Sequence, residues 1–352
     1  MNIPKILEVT LRDGSYCINF QFSKKQNSTL ASALEHAGFE SIEVGHGLGL
    51  GASKKGKGVA LETDETYMES TANALNKSKW GMFCIPGIAQ LSDLDAAIDY
   101  KMNFIRIGTN IEDYDTSRKF IEKSKKFDLT VCSNFMKSYV CTPKKFADYA
   151  HAVESWGSDV IYIVDSAGGM LPSQLEEYFL AVKDKCPNIK VGFHGHDNLG
   201  LGVANALKAA ELGIDIVDTS LQGFGRSAGN TSTEKFISAM MLNGFDMGFD
   251  PISVMDLGEK YIQPLITKKG SDSVDTVSGL ALFHSSYMPI IEKYSSKYGV
   301  DPRRLIVAVC EDNKSEAPEE LVKIKAKQLK ELGFKGNWKS FYSHYYGREQ
   351  EY

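Results

Sequence analysis

Short apolar runs alternate with longer amphipathic stretches through the first two-thirds of this chain. Eight of the runs read as strands, at residues 6–10, 41–44, 80–85, 104–107, 129–134, 160–164, 190–194 and 216–220. They are continuous rather than alternating, the pattern of strands covered on both faces. Helical spacing falls between them, at 26–37, 91–101, 117–127, 143–155, 172–185 and 198–212. Gly38 and Gly213 stand at the ends of two of these helices and read as caps. Eight β units, each followed by a helix, favour an α/β fold closed into a (β/α)8 TIM barrel over an open sheet. Past residue 245 the alternation stops, and helical spacing at 281–298 and 319–332 takes over. The expected division is a barrel domain, residues 1–245, and a C-terminal helical subdomain with a tail, residues 246–352. In that tail Phe341, Tyr342, Tyr345 and Tyr346 read as cover for a core edge, with a partner surface as the alternative.

Composition narrows the function classes. The 352 residues suffice for a barrel of roughly 250 residues and a smaller part. A net charge of -5 with mixed signs gives no nucleic-acid footprint. Lysine pairs such as Lys24-Lys25 and Lys144-Lys145 read as solvated faces. No apolar run approaches the roughly 20 residues that span a bilayer. The N-terminal apolar run carries Lys5 and Glu8, unlike a signal peptide. The six cysteines form no Cys-x-x-Cys pair, which favours free thiols in a reducing, cytoplasmic setting.

The candidate chemistry starts at His194-Gly195-His196, at the end of the seventh strand. Side chains two apart on a strand share a face about 6.6 Å apart, so both imidazoles can reach one metal ion. The first strand runs into Thr10-Leu11-Arg12-Asp13-Gly14, and the eighth into a glycine-rich segment ending Gly229-Asn230. Strands one, seven and eight adjoin in a closed barrel, which brings Asp13 toward the histidines. One carboxylate and two imidazoles hold a divalent ion and leave positions open. Asn230 could add its carbonyl oxygen. The donor set suits Mn²⁺, Mg²⁺, Co²⁺ or Zn²⁺. Arg12, a permanent cation beside Asp13, suits developing negative charge. A further stretch, Gly51 to Gly58, nearly spells a phosphate loop, but Gly58 replaces the hydroxyl residue that motif needs. It reads instead as a flexible loop over the active-site face.

Jointly these motifs resemble the metal-dependent TIM-barrel lyases, which include hydroxymethylglutaryl-CoA lyase, isopropylmalate and homocitrate synthases and 4-hydroxy-2-oxovalerate aldolase. The similarity is greatest to the last. Ile42-Glu43-Val44-Gly45-His46-Gly47, residues 192–199, Leu201-Gly202-Val203-Ala204-Asn205 and Tyr298-Gly299-Val300-Asp301 all look like that aldolase. The resemblance spans nearly the whole chain. It implies metal ligation by Asp13, His194 and His196 with Asn230 nearby, Mn²⁺ foremost. It further implies that Arg12 stabilises an enolate oxygen and that Ser166 binds substrate. The implied reaction is reversible aldol cleavage through a pyruvate enolate, between a small 2-oxo acid and an aldehyde. An aldehyde dehydrogenase partner is implied as well, and a homodimer is the default assembly.

Departures from the pattern bear on the acid/base. Tyr16 stands where the aldolase has a histidine, and an ordinary Tyr pKa near 10 makes a weak base. His284 stands where it has a tyrosine, so the role could have moved to His284 or to His46. Leu48 replaces an acidic residue, and the tail differs. Two other readings stand beside the aldolase: an acyl-CoA/2-oxo acid condensing enzyme, and a non-catalytic metal-binding barrel subunit.

Overall fold

The computed structural model describes residues 3–267 and 272–333; the aromatic tail lies outside them. Eight parallel strands close into a barrel in chain order: β1 Lys5–Glu8, β2 Ser41–Val44, β3 Lys79–Cys84, β4 Phe104–Asn110, β5 Thr130–Met136, β6 Val160–Asp165, β7 Lys190–Gly195 and β8 Ile216–Thr219. The seam pairs β1 with β8, Lys5 opposite Ile216 and Glu8 opposite Thr219. Between and after the strands run α1 Lys24–His36, α2 Asp64–Ala74, α3 Asp93–Asp99, α4 Arg118–Lys125, α5 Pro143–Ser155, α6 Pro172–Lys185, α7 Gly202–Leu212 and α8 Thr233–Leu242. Strand parity sorts the side chains into two layers. Ile42, Ile105, Ile107, Val191, Phe193 and Val217 join the large cluster shared with the surrounding helices. Leu7, Val9, Phe104, Val160 and Tyr162 form a separate cluster inside the barrel. Glu43, Arg106, His194 and Asp218 share the inner parity and are buried there.

The C-terminal part comprises α9 Pro251–Leu257, α10 Ser273–Ala281, α11 Met288–Tyr298, α12 Pro302–Asp312 and α13 Glu319–Glu331. Here α10 packs on α12 and α11 on α13, around a core of its own that holds Ile291, Leu305, Ile306 and Val322.

Several expected elements end elsewhere. The first strand stops at Glu8, because Arg12 and Asp13 N–H turn back to Val9 O, at 3.1 and 2.8 Å. The helix expected from 198 begins at Gly202: Asp197 accepts from Gly202 N–H, and Asn198 donates to Ser227 Oγ, so both side chains serve the loop. The expected helix over 281–298 is two elements. Leu282 turns left-handed at φ 57°, His284 accepts from Ser286 N–H, and α11 restarts with Pro289 in its first turn. Apolar residues at 280, 283, 287 and 288 keep helical spacing across that break, which hides it in the sequence. Helix α2 lies in a mostly polar stretch that gave no clear stripe. The loop after β2 is no loose flap, since Leu48, Leu50 and Ala52 are buried, while Lys54, Lys55 and Gly56 form an exposed tip. Gly49 lets it pass: at φ +83° it lies so close to β3 that a Cβ would sit 2.1 Å from Phe83 O.

Candidate metal centre and its cavity

Three residues from distant parts of the chain converge at the C-terminal ends of the strands. Asp13 opens the turn after β1, His194 is the last residue but one of β7, and His196 directly follows that strand and bridges to Asn230. One ligand atom from each of Asp13, His194 and His196 lies within 4.8 Å of the others. All three are buried.

Neighbouring groups aim the ring nitrogens. His194 Nδ1 is 2.8 Å from Asp218 Oδ2, and its Nε2 faces Asp13 Oδ2 at 3.4 Å. His196 Nδ1 is 3.2 Å from the carbonyl oxygens of both Arg226 and Gly229. Both histidines thus donate from Nδ1 and present Nε2, the arrangement that orients metal-ligating imidazoles. Burial pushes the His196 pKa down to about 3, which keeps its lone pair available. Burial alone would raise the Asp13 carboxyl, but Arg12 and His194 outweigh it and hold Asp13 well below the usual range. Asn230 Nδ2 donates to Asp13 Oδ2 at 2.7 Å, while its Oδ1 is buried with no hydrogen-bond partner. An orphaned acceptor beside one carboxylate and two imidazoles fits a divalent cation.

Behind the three clustered residues lies a closed circuit of buried charge. Arg12 Nε donates to Glu43 Oε2 at 2.8 Å, and its Nη1 lies 3.2 Å from Asp13 Oδ1. Arg106 Nη1 donates to the same Glu43 oxygen at 2.7 Å, and Nη2 donates to Asp218, which returns to His194. Each cation thus has two carboxylates, as buried charges require. Arg12 lies 4.8 Å over the Phe83 ring, and Arg106 4.4 Å over Tyr162. Motif reasoning singled out neither Arg106 nor Asp218, and touched Glu43 only through the family resemblance. Their signal was there: a lone charge inside an apolar run, as in Phe-Ile-Arg-Ile and Ile-Val-Asp-Thr.

The centre opens on a cavity of about 220 Å³. Arg12, Asp13, Tyr16, Ser166, His194, His196 and His284 all line it, and Asn230 stands behind Asp13. The break between α10 and α11 brings His284, Ser286 and Tyr287 over the barrel mouth. Ser166 Oγ accepts from Lys137 N–H at 2.9 Å. The Arg226 guanidinium lies 5.5 Å over the Tyr16 ring, with Nη2 2.6 Å from His284 Nε2. Burial, reinforced by Arg226 and Lys137, drives the His284 pKa well below its ordinary value. His46 is not among the lining residues and stacks on Phe20, ring centroids 3.8 Å apart. Lys137 and Arg226 do line the cavity, and neither was singled out by motif. A larger cavity of about 530 Å³ opens around Ile6, Phe104 and Val160 at the opposite strand ends, away from where barrel enzymes place their chemistry.

A closed parallel barrel with a buried Asp-His-His cluster at its C-terminal face defines a TIM-barrel protein of the metal-site type. The HMGL-like family model matches residues 3–260, and the chain belongs to that family. It is 36% identical over 304 residues to a 4-hydroxy-2-oxovalerate aldolase of Pelotomaculum thermopropionicum, covering 86% of this chain and 89% of that one. A protein of the same name from Brevibacillus brevis is also 36% identical, covering 86% and 89%. Among solved structures, the N-terminal domain of a candidate aldolase from Bacteroides vulgatus superposes with a TM-score of 0.70 at 24% identity, over 83% of this chain and 98% of that one. The carboxyl transferase domain of Rhizobium etli pyruvate carboxylase, with pyruvate and biocytin, gives 0.76 at 15% identity, over 94% of this chain and 61% of that one. These two likenesses concern the fold. The chain is an enzyme of the carbon–carbon lyase class. Among the described residues no helix is long and apolar enough to cross a membrane.

Proposed function

We propose that this protein is a divalent-metal-dependent aldolase that cleaves or forms a carbon–carbon bond through the enolate of pyruvate or a similar 2-oxo acid. The observation that carries the reading is the buried Asp13-His194-His196 cluster opening, with Arg12, on one small cavity. Those three residues, with Asn230 Oδ1 beside them, would hold the ion, Mn²⁺ in our reading, which supplies Lewis acidity toward the 2-oxo acid's oxygens when bound.

The chain's own groups do the rest. Glu43 and Asp13 engage Arg12 through Nε and Nη1, which leaves Nη2 for an oxygen that gains charge as the enolate forms. Ser166 donates to the substrate carboxylate while its oxygen accepts from Lys137 N–H. The Tyr16 hydroxyl moves the proton to and from the aldehyde oxygen. His284, kept neutral, accepts from Arg226 and positions that guanidinium over Tyr16, a holding role in place of the acid/base one. The cavity lies below the roughly 300–1,000 Å³ of drug-sized ligand sites, which favours two small substrates over an acyl-CoA. All six cysteines are free, in keeping with a cytoplasmic enzyme. A homodimer and an aldehyde dehydrogenase partner complete the proposal; sedimentation and co-purification test them.

Proton NMR of pyruvate in D₂O tests the reaction, with Mn²⁺ removed by chelator before detection. We expect metal-dependent loss of the methyl signal, and at least a roughly 100-fold slower loss in Asp13→Ala. No exchange in the wild type, or undiminished exchange in the variant, would sink the reading.

A further inference from the structure

Away from the barrel mouth, a second set of metal-binding side chains comes together. Helix α5 ends at Ser155, shortly before β6, and α6 ends at Lys185, shortly before β7. Both helices therefore finish beside the N-terminal ends of the strands, and they pack on each other. His151 and Glu154 lie three residues apart near the end of α5, a spacing that puts both on one helix face. Cys186 caps the end of α6. One ligand atom from each of His151, Glu154 and Cys186 lies within 4.8 Å of the others.

Distance decides between hydrogen bonding and ligation. His151 Nδ1 is 3.5 Å from Glu154 Oε2 and 3.9 Å from Cys186 Sγ. A good N–H···O bond spans roughly 2.7–3.2 Å, so the nitrogen–oxygen pair is too wide for one. Around a tetrahedral Zn²⁺, bonds of about 2.0–2.3 Å put nitrogen and oxygen about 3.4 Å apart, and nitrogen and sulfur about 3.6 Å apart. Both observed separations come close to those edges.

Charge and access suit a cation as well. A thiolate and a carboxylate balance the two charges of the ion, and the imidazole stays neutral. The negative ends of two helix dipoles meet at the cluster, and α5 has no basic residue in its last turn. The nearby lysines have partners of their own: Lys185 is tied to Asp148, and Lys183 donates to the carbonyl oxygens of Pro187 and Ile189. Cys186 is 1% exposed but the His151 side chain is 57% exposed, which opens the cluster to solvent on the imidazole side. Burial and Glu154 push the Cys186 thiol up to about 12, so an arriving ion displaces its proton to water as the metal–sulfur bond forms.

We propose that His151, Glu154 and Cys186 form a second metal site, which takes Zn²⁺ with water in the fourth position and clips the end of α5 to the end of α6. The sulfur ligand selects Zn²⁺ over Mn²⁺ or Mg²⁺, which prefer oxygen. In barrels this face serves stability, so the ion here is structural. The inference is independent of the aldolase reading.

The full chain, stripped of metal and kept reduced without thiols, tests it. Zn²⁺ titrated against a chromogenic chelator should fill one more site in the wild type than in Cys186→Ser. Co²⁺ should give thiolate-to-metal charge-transfer absorption in the wild type and in Asp13→Ala, and none in Cys186→Ser, because the Asp13-His194-His196 cluster has no sulfur. His151→Ala, a change at an exposed position, should raise the Co²⁺ concentration that half-fills this band at least about 100-fold. Zn²⁺ should raise the melting temperature of Asp13→Ala and leave that of the Asp13→Ala, Cys186→Ser double variant unmoved. Equal Zn²⁺ stoichiometry in the wild type and Cys186→Ser, or a sulfur band that survives in Cys186→Ser, overturns the site. Unchanged affinity in His151→Ala overturns it too, since it marks a thiol binding metal adventitiously. Zn²⁺ binding that moves no melting temperature overturns the clip.

Discussion

Asp218 shows how much of this site is set one layer behind the Asp13-His194-His196 cluster. One oxygen of its carboxylate faces both His194 Nδ1 and Arg106 Nη2. Asp218→Asn should therefore have two separable effects. His194 loses the partner that fixes its ring, and we expect affinity for Mn²⁺ to fall about 10–100-fold in a competition titration against a fluorescent chelator. Arg106 keeps only Glu43, and we expect chemical unfolding to show a loss of about 3–5 kcal/mol. Unchanged metal affinity in a folded variant would mean that the ring is held by packing alone. The Asp13-His194-His196 cluster itself was legible in the sequence, because His-Gly-His is a local pattern and Arg12-Asp13 follows a strand. Their support was not. A charged residue in an apolar run can face inward or outward, and only barrel register shows that Glu43, Arg106 and Asp218 share the inner parity. Lys137 and Arg226 escaped notice because a lysine after a strand and an arginine among glycines look like ordinary loop residues.

At the scale of elements, the eight strands were readable because each is a short apolar run and most of the helices between them, α2 excepted, have a clear stripe. What failed was the place where a helix breaks to make a site. The break at Leu282 follows from contacts far along the chain: Asn198 Nδ2 donates to Asp275 O within α10, and Lys137 reaches Tyr287 beyond the break. Helix α10 is short and depends on its start. Asp272 accepts from Val274 and Asp275 N–H, and Asp275 reciprocates to Asp272 N–H. Asp272→Ala should cost about 1 kcal/mol in urea unfolding, with Asp272→Asn recovering most of it. Equal stability of all three chains would show that packing against α12 alone holds α10.

Over the whole molecule, closure is what makes the barrel a barrel, and one carboxyl sits on the seam. Glu8 ends β1 opposite Thr219 of β8, and is fully buried. Its Oε2 accepts from Thr10 N–H at 3.0 Å and its Oε1 from Leu221 N–H at 3.1 Å, which ties the first strand to the turn after the last. Burial raises its pKa from 4.5 to about 8, against the pull of those hydrogen bonds. The folded chain therefore keeps a proton that the unfolded chain releases between about pH 4.5 and 8. Where the unfolded state binds fewer protons, stability falls as pH rises. The contribution is complete below about 4.5 and is lost as the pH passes 8, a span of a few kcal/mol at about 1.4 kcal/mol per pH unit. Other groups titrate over this range, so the difference between wild type and Glu8→Gln is the quantity to follow. Glutamine cannot ionise. Whatever it costs in hydrogen bonds is the same at every pH, and the variant should gain on the wild type steadily from about pH 5 to 8 and level off above it, in denaturant unfolding with chelator present. Parallel curves for the two chains would mean that Glu8 ionises as freely in the barrel as in water, and that the seam is held by strand pairing without a buried neutral acid.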